Sequence, residues 1–304
     1  MPQLAPVVVF AYKRADKIKS CLEALEKNIG AGKTAVFLYA DGAKSEKDKS
    51  DVEKTRKFIK EYAGRHRFEN FTVYYREHNM GLANSIITGV TEIIEKYGKI
   101  IAVEDDLITS ADFLMYMNDA LIYYKDVENV GEISAFTHPL EGLKSYEHDI
   151  YITRKAECWG WATWKDRWEL ADWEMKSYPE FKKNRQKKEF EKTQKGINSM
   201  LEKQMAGQLD SWAVRWCYSL FVNEKLTVYP KISRTRNIGF DGSGVHCGTS
   251  GLYFDEKINT DTGKCRFEIL NVNSELEKEA ALFEYIPFRK KLLNFAKRLL
   301  TLNK

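Results

Sequence analysis

Apolar residues in the first hundred positions fall into short runs, each followed by a longer stretch of helical spacing. Residues 7–10 are a continuous Val-Val-Val-Phe run, the pattern of a strand buried on both faces. Ile18, Cys21, Leu22 and Leu25 then recur every three to four positions and predict a helix over 14–28. Residues 35–40 form the next apolar run and stop at the turn-forming pair Asp41-Gly42. A charged helix is expected over 44–62 and a third strand over 71–75. Ile86, Ile87, Val90, Ile93 and Ile94 mark one face of a helix over 81–97. A fourth strand at 100–103 runs into Glu104-Asp105-Asp106.

Strand and helix patterns alternating in this way predict an α/β fold with a mostly parallel central sheet flanked by helices. Such sheets bind ligands beyond the carboxyl ends of their strands. Polar residues stand at each of those ends: 12–14, Asp41, 76–79 and 104–106. Their convergence on one crevice is the strongest functional expectation that the residues alone supply.

Beyond residue 107 the pattern loosens. Strands are expected at 133–137, 150–153 and 227–232, and helices at 111–124 and 210–222. The charged stretch 175–204 suggests a helical excursion on the surface, and 237–251 a glycine-rich loop. One domain over 1–280 accommodates this, with a regular half (1–107) and a more irregular half (108–280). Residues 283–304 stand apart. Phe288, Leu292, Phe295, Ala296, Leu299 and Leu300 share a face, and Arg289, Lys290, Lys291, Lys297, Arg298 and Lys304 supply only positive charge. That is a basic amphipathic helix, able either to lie on an anionic membrane surface or to dock on the domain with its basic face in water.

Composition narrows the class. Of 304 residues, 43% are hydrophobic and 30% charged, ordinary for a globular chain and unlike a disordered one. The net charge of +4 suits phosphate-bearing ligands without calling for nucleic acid. No run approaches the ~20 apolar residues of a membrane span. The first ten residues lack a basic n-region and look like a strand, not a signal peptide. Five scattered Cys with no CxxC pair argue against zinc and for reduced thiols. A cytoplasmic location is expected, peripheral at the inner membrane if the basic helix binds there. Seven Trp crowd into 159–173 and 212–216, suiting equally an aromatic core and a carbohydrate site.

The acidic triplet is the centre of the expected chemistry. Three carboxylates after a buried strand repel one another unless a cation is present. Hard oxygen donors favour Mg²⁺ or Mn²⁺. The structural alternative is a helix cap by Asp106 or Thr109. Asp41 suits a nucleoside or a plain turn, and Arg14 a diphosphate or a helix start. Asp210 suits a general base or an N-cap. His246, in Gly-Ser-Gly-Val-His, suits phosphate, metal or an ordinary loop position.

With these residues assembled, the chain resembles the GT-A (Rossmann-like) nucleotide-diphospho-sugar transferases. It is most similar to the family of the N-acetylglucosaminyltransferase that begins hybrid and complex N-glycans, with its bacterial relatives. Residues 11–14 with 39–42, Glu104-Asp105-Asp106-Leu107 with Ala111-Asp112-Phe113, and 230–235 with Gly244-Val245-His246 carry the resemblance. It spans roughly 7–255. The chain departs from the family in having Leu209-Asp210-Ser211-Trp212 for Trp-Asp-Asp-Trp, and His246 directly after Gly-Val. The resemblance implies an inverting hexosyl- or N-acetylhexosaminyltransferase. It would use a UDP-sugar donor, a glycan or glycolipid acceptor and Mn²⁺ or Mg²⁺, in bacterial surface polysaccharide synthesis. It also implies the roles: Asp106 binds metal, Glu104 and Asp105 the sugar and ribose, Asp41 the uridine, Arg14 the diphosphate, and Asp210 is the base. His246 is left between phosphate and metal. The competing class is a non-catalytic carbohydrate-binding protein or an inactive relative. A nucleotidyltransferase ranks lower, because 11–14 carries no glycine.

Overall fold

The computed structural model describes residues 3–240 and 258–283. It opens with β1 (Val7–Ala11), α1 (Ala15–Glu26), β2 (Ala35–Ala40), α2 (Lys49–Ala63), β3 (Asn70–Tyr75), α3 (Leu82–Tyr97) and β4 (Lys99–Glu104). This is the alternation that the spacing predicts. These strands lie in the order β3-β2-β1-β4, all parallel. β1 is therefore interior and buried throughout. Val7, Val9 and Ala11 pack with α1 and helix α4 (Phe113–Tyr123) on one face. Val8 and Phe10 pack with α3 on the other. Each fully buried Val contributes roughly 1.5–3 kcal/mol. Gly89 lets α3 lie close to the sheet, because a Cβ there would come within 2.8 Å of the Phe10 ring.

After β4 the chain forms β5 (Leu107–Thr109), α4, β6 (Val130–Ser134), β7 (Ile150–Thr153), β8 (Trp161–Trp164) and α5 (Lys165–Trp168). Then come α6 (Tyr178–Lys183), α7 (Gln186–Thr193), α8 (Ile197–Met205), α9 (Trp212–Val222), β9 (Leu226–Pro230), β10 (Thr235–Asn237) and α10 (Ser274–Phe283). The sheet continues from β4 as β8-β6-β9-β7. β8 pairs antiparallel to both neighbours, and β6 with β9 is parallel. The mostly parallel expectation holds, and the antiparallel pairings fall in the second half.

Several expectations for that half shift. The strand expected at 133–137 begins at Val130, and the Trp-rich stretch contains a central strand, β8. Residues 175–204 are helical as expected but not purely a surface feature. Phe181, Phe190, Ile197 and Leu201 are buried against α9. Trp161, Trp164, Trp168, Trp212 and Trp216 are buried, and Trp161 stacks on Trp212 with centroids 5.2 Å apart. For those five the core reading is right. Trp159 and Trp173 remain partly exposed. Of the terminal helix expected over 283–304, Phe283 is the last residue of α10, and the remainder lies outside the described residues. Among the described residues, no helix is long and apolar enough to cross a membrane.

Candidate functional site

The parallel strands deliver their carboxyl ends to one edge of the sheet. Arg14 follows β1 directly, at the start of α1, and the acidic triplet follows β4, the neighbour of β1. This adjacency brings together residues some ninety positions apart. The Arg14 guanidinium donates to Asp105 and, at 2.9 Å, to Oδ2 of Asp106. Asp105 and Asp106 are both buried. The other terminal nitrogen of Arg14, Nη1, is buried with no hydrogen-bond partner among the described residues.

Three carboxylates thus face one guanidinium. Burial and repulsion by Asp106 and Asp105 push Glu104 up to about 8. Burial pushes Asp105 up to about 6 against the opposing pull of Arg14. Both shifts come first from burial, and repulsion among the acids adds to it. The donors are all hard oxygens, which fits Mg²⁺ or Mn²⁺. Among the described residues no group of three or more His, Cys, Asp or Glu is arranged to hold a metal by itself. A cation here would draw its remaining ligands from water and substrate phosphates, which is usual for Mg²⁺.

The helix-cap alternative for Asp106 does not hold. β5 intervenes, and α4 begins only at Phe113. β5 pairs antiparallel with β10, which carries 237–239 over the acidic end of β4. Ile238 N–H donates to the Asp106 carbonyl at 2.8 Å. A Cβ at Gly239 would collide with Oδ2 of Asp106, so the close approach requires glycine there. Beneath this ribbon, Asp112 accepts from Arg234 Nε at 3.2 Å and Asn259 Nδ2 at 2.7 Å. Arg234 also lies over the Tyr116 ring, 4.5 Å from its centroid. Two stretches singled out in the sequence, 111–113 and 230–235, are therefore joined by a buried ion pair. The sequence marked both but gave no sign of their contact.

Asp41 stands at the end of β2 and is buried. Its Oδ1 accepts from the N–H groups of Gly42 at 3.0 Å and Met80 at 2.9 Å. The carboxylate ties the β2 end to the loop before α3, and it retains lone pairs for a further donor. A Cβ at Gly42 would lie 2.5 Å from the backbone of His78, which explains the glycine after it.

Asp210 is exposed and pairs with Arg215 at 2.9 Å. It is not the cap of α9. Ser211 fills that role, accepting from Val214 N–H at 3.3 Å. The cap reading moves one residue along, and Asp210 stands just outside the helix. His246 lies outside the described residues. Lys155 and Glu157, which sequence reasoning did not single out, line a cavity beside α9 together with Trp159. The Trp crowding was their only signal.

No protein-family profile matches the chain, and no curated protein matches it. Among solved structures it is similar to TarS of S. aureus over 43% of this chain and 21% of that one, at 14% identity and a TM-score of 0.32. It is similar to a UDP-glucose pyrophosphorylase complexed with UDP-glucose over 75% of this chain and 90% of that one, at 12% identity and a TM-score of 0.37. It is similar to a putative glucose-1-phosphate thymidylyltransferase from Bacillus anthracis over 77% and 89%, at 10% identity and a TM-score of 0.41. Likenesses this partial add nothing to the class defined by sheet order and site. That class is an α/β protein with helices on both faces of the sheet and an acidic cluster at the carboxyl end of its parallel strands.

Proposed function

We propose that the chain is a metal-dependent, inverting glycosyltransferase that moves a sugar from a nucleotide diphosphate, UDP favoured, to a glycan or glycolipid. The observation that carries this is the contact of Arg14 with Asp105 and Asp106 at adjoining ends of parallel strands. A guanidinium beside buried acids offers a phosphate-binding group next to cation-binding ones.

In this reading Asp106, held under Gly239, is the carboxylate that takes Mn²⁺ or Mg²⁺. When bound, the ion supplies neutralising charge for the leaving diphosphate. Arg14 turns its donors to the diphosphate, and the unpartnered Nη1 is the first available. Glu104 and Asp105 bind hydroxyls of the sugar and ribose, and Asp41 accepts from the uracil. Asp210 takes the proton of the acceptor hydroxyl, whose oxygen bonds to the anomeric carbon. The bond from that carbon to the diphosphate breaks, its electron pair leaves with UDP, and the configuration inverts. His246 would add a phosphate or metal contact. Attachment of 283–304 to an anionic membrane would place the enzyme beside a lipid-linked acceptor.

The test is thermal stability with UDP, other nucleoside diphosphates and UDP-sugars, each with and without Mn²⁺. A ligand that binds the native state raises the midpoint by mass action. The expected result is a UDP shift that needs Mn²⁺ and grows with one UDP-sugar. Absence of any nucleotide shift would favour the carbohydrate-binding alternative.

A further inference from the structure

The two edges of the eight-stranded sheet are finished differently. β7 forms one edge, and all of its residues are buried. The chain returns over it. Asn273 N–H donates to the Ile152 carbonyl at 3.0 Å, and Arg154 N–H to Oε1 of the buried Glu277 at 2.9 Å. β3 forms the other edge and pairs only with β2 among the described residues. Arg76 N–H, just past the strand, donates to the Ala40 carbonyl at 3.0 Å. Backbone groups alternate in direction along a strand. Those of Thr72 and Tyr74 therefore face β2 as well, and those of Phe71, Val73 and Tyr75 point to the open side. Asn70 and Tyr75 are exposed, and the residues between them are half-buried.

An open edge invites pairing by another strand, and sheets usually blunt it with Lys, Pro or a bulge. β3 has none of these. Its sequence, Asn-Phe-Thr-Val-Tyr-Tyr, is uncharged and rich in β-branched and aromatic residues, and its register with β2 is unbroken. The charges lie just outside it, Arg67 and Glu69 before and Arg76 and Glu77 after. Arg67, Glu69 and Glu77 are exposed, and none of the three makes an ion pair among the described residues. Closed homodimers present the same patch from each copy. A two-fold axis normal to the sheet sets β3 antiparallel to its copy, with one residue opposite itself. Two such registers keep most of the strand paired, one centred on Thr72 and one on Val73. The Val73 register sets Glu69 opposite Glu77 of the second copy. The Thr72 register instead sets Arg67 opposite Glu77 of the second copy, twice by symmetry. It also sets Phe71 opposite Val73 and Thr72 opposite Thr72, pairs that stabilise antiparallel ladders. Phe71 and Val73 then exchange the backbone bonds that β3 leaves open.

We propose that β3 is a self-pairing edge: two copies of this chain join through antiparallel β3 strands, in the register centred on Thr72, to make one continuous sheet. Charge complementarity selects both the second copy as occupant and the register. The axis reverses strand direction, so the acidic ends of β4 in the two copies face opposite ways and each copy keeps its own site. The pairing stands independently of the reaction proposed above.

The experiment is sedimentation velocity on the full chain over roughly 1–500 μM, the span that suits a small interface. The sedimentation coefficient should rise with concentration towards that of a dimer. Val73→Pro removes an outward N–H, a change tolerated at an edge. Thr72→Lys sets like charges together at the axis. Each should hold the chain monomeric while its far-UV circular dichroism stays that of the parent. Arg67→Glu and Glu77→Arg each set like charges opposite one another and should weaken dimerisation about tenfold. The two reversals combined should restore it. These exposed reversals carry the test if either strand variant fails to fold. A chain that stays monomeric throughout would overturn the proposal and leave the edge to a strand of another protein. Dimers that survive folded Thr72→Lys would place the interface elsewhere. A double reversal no tighter than the single ones would refute the register.

Discussion

The two halves of the sheet are built on different rules. From β1 to β4 every pairing is parallel, and sequence neighbours pair except at one crossover, where β4 lies beside β1 and not β3. From β8 to β7 the order departs from the sequence, and the pairings mix directions. The first half carries its chemistry at strand ends, as Arg14 and Glu104–Asp106 show. The second holds its chemistry inside, where Glu132, Glu157 and Lys155 are buried among aromatic rings. A parallel edge gathers groups from adjoining strand ends, whereas a Trp-packed core encloses them among rings.

The contrast predicts different outcomes for substitutions in the two halves. The largest effect belongs to the acidic edge. Asp106→Ala should remove Mn²⁺-dependent UDP binding, and turnover with it, while the thermal midpoint without ligand changes little. A large fall in that midpoint would make Asp106 a structural residue. Asp210→Asn should leave donor binding intact and lower turnover by about 10²–10⁴-fold, the usual scale for a general base. Normal transfer by this variant would end the base assignment.

In the second half the effects should be on stability. Trp216→Ala should cost about 3–5 kcal/mol in denaturant unfolding, the range for truncating a large buried aromatic. A cost near zero would mean the Trp cluster is not core. The effect at Glu132 is bound to pH. Burial raises it to about 8 although Trp216 Nε1 and Glu157 N–H both donate to it. A carboxyl raised in the folded state favours folding while protonated. Its contribution is present at low pH and is lost as pH rises from about 4.5 towards 8. Glu132→Gln should flatten stability across that window, and an unchanged slope would place the titration elsewhere.

These differences also explain what could be read from the chain. Val7–Ala11 and Ala35–Ala40 are continuous apolar runs because both sheet faces are covered, and that pattern is local. Arg14 and the acidic triplet meet because the crossover after β3 sets β4 beside β1, and local spacing does not carry that strand order. β8 was missed because Trp161–Trp164 is short and aromatic, and its partners β4 and β6 lie far off in sequence. The Asp112–Arg234 pair was hidden for the same reason, since 122 positions separate its members. The cap of α9 was placed one residue early because Asp210 and Ser211 are both good capping types, and only geometry chooses between them.

The most direct test of the acidic edge is electron paramagnetic resonance of Mn²⁺ with the protein, with and without UDP. The account predicts a bound-ion signal that strengthens on adding UDP and disappears in Asp106→Ala. An ion that stays free in the presence of UDP, or one that binds Asp106→Ala equally well, would contradict it.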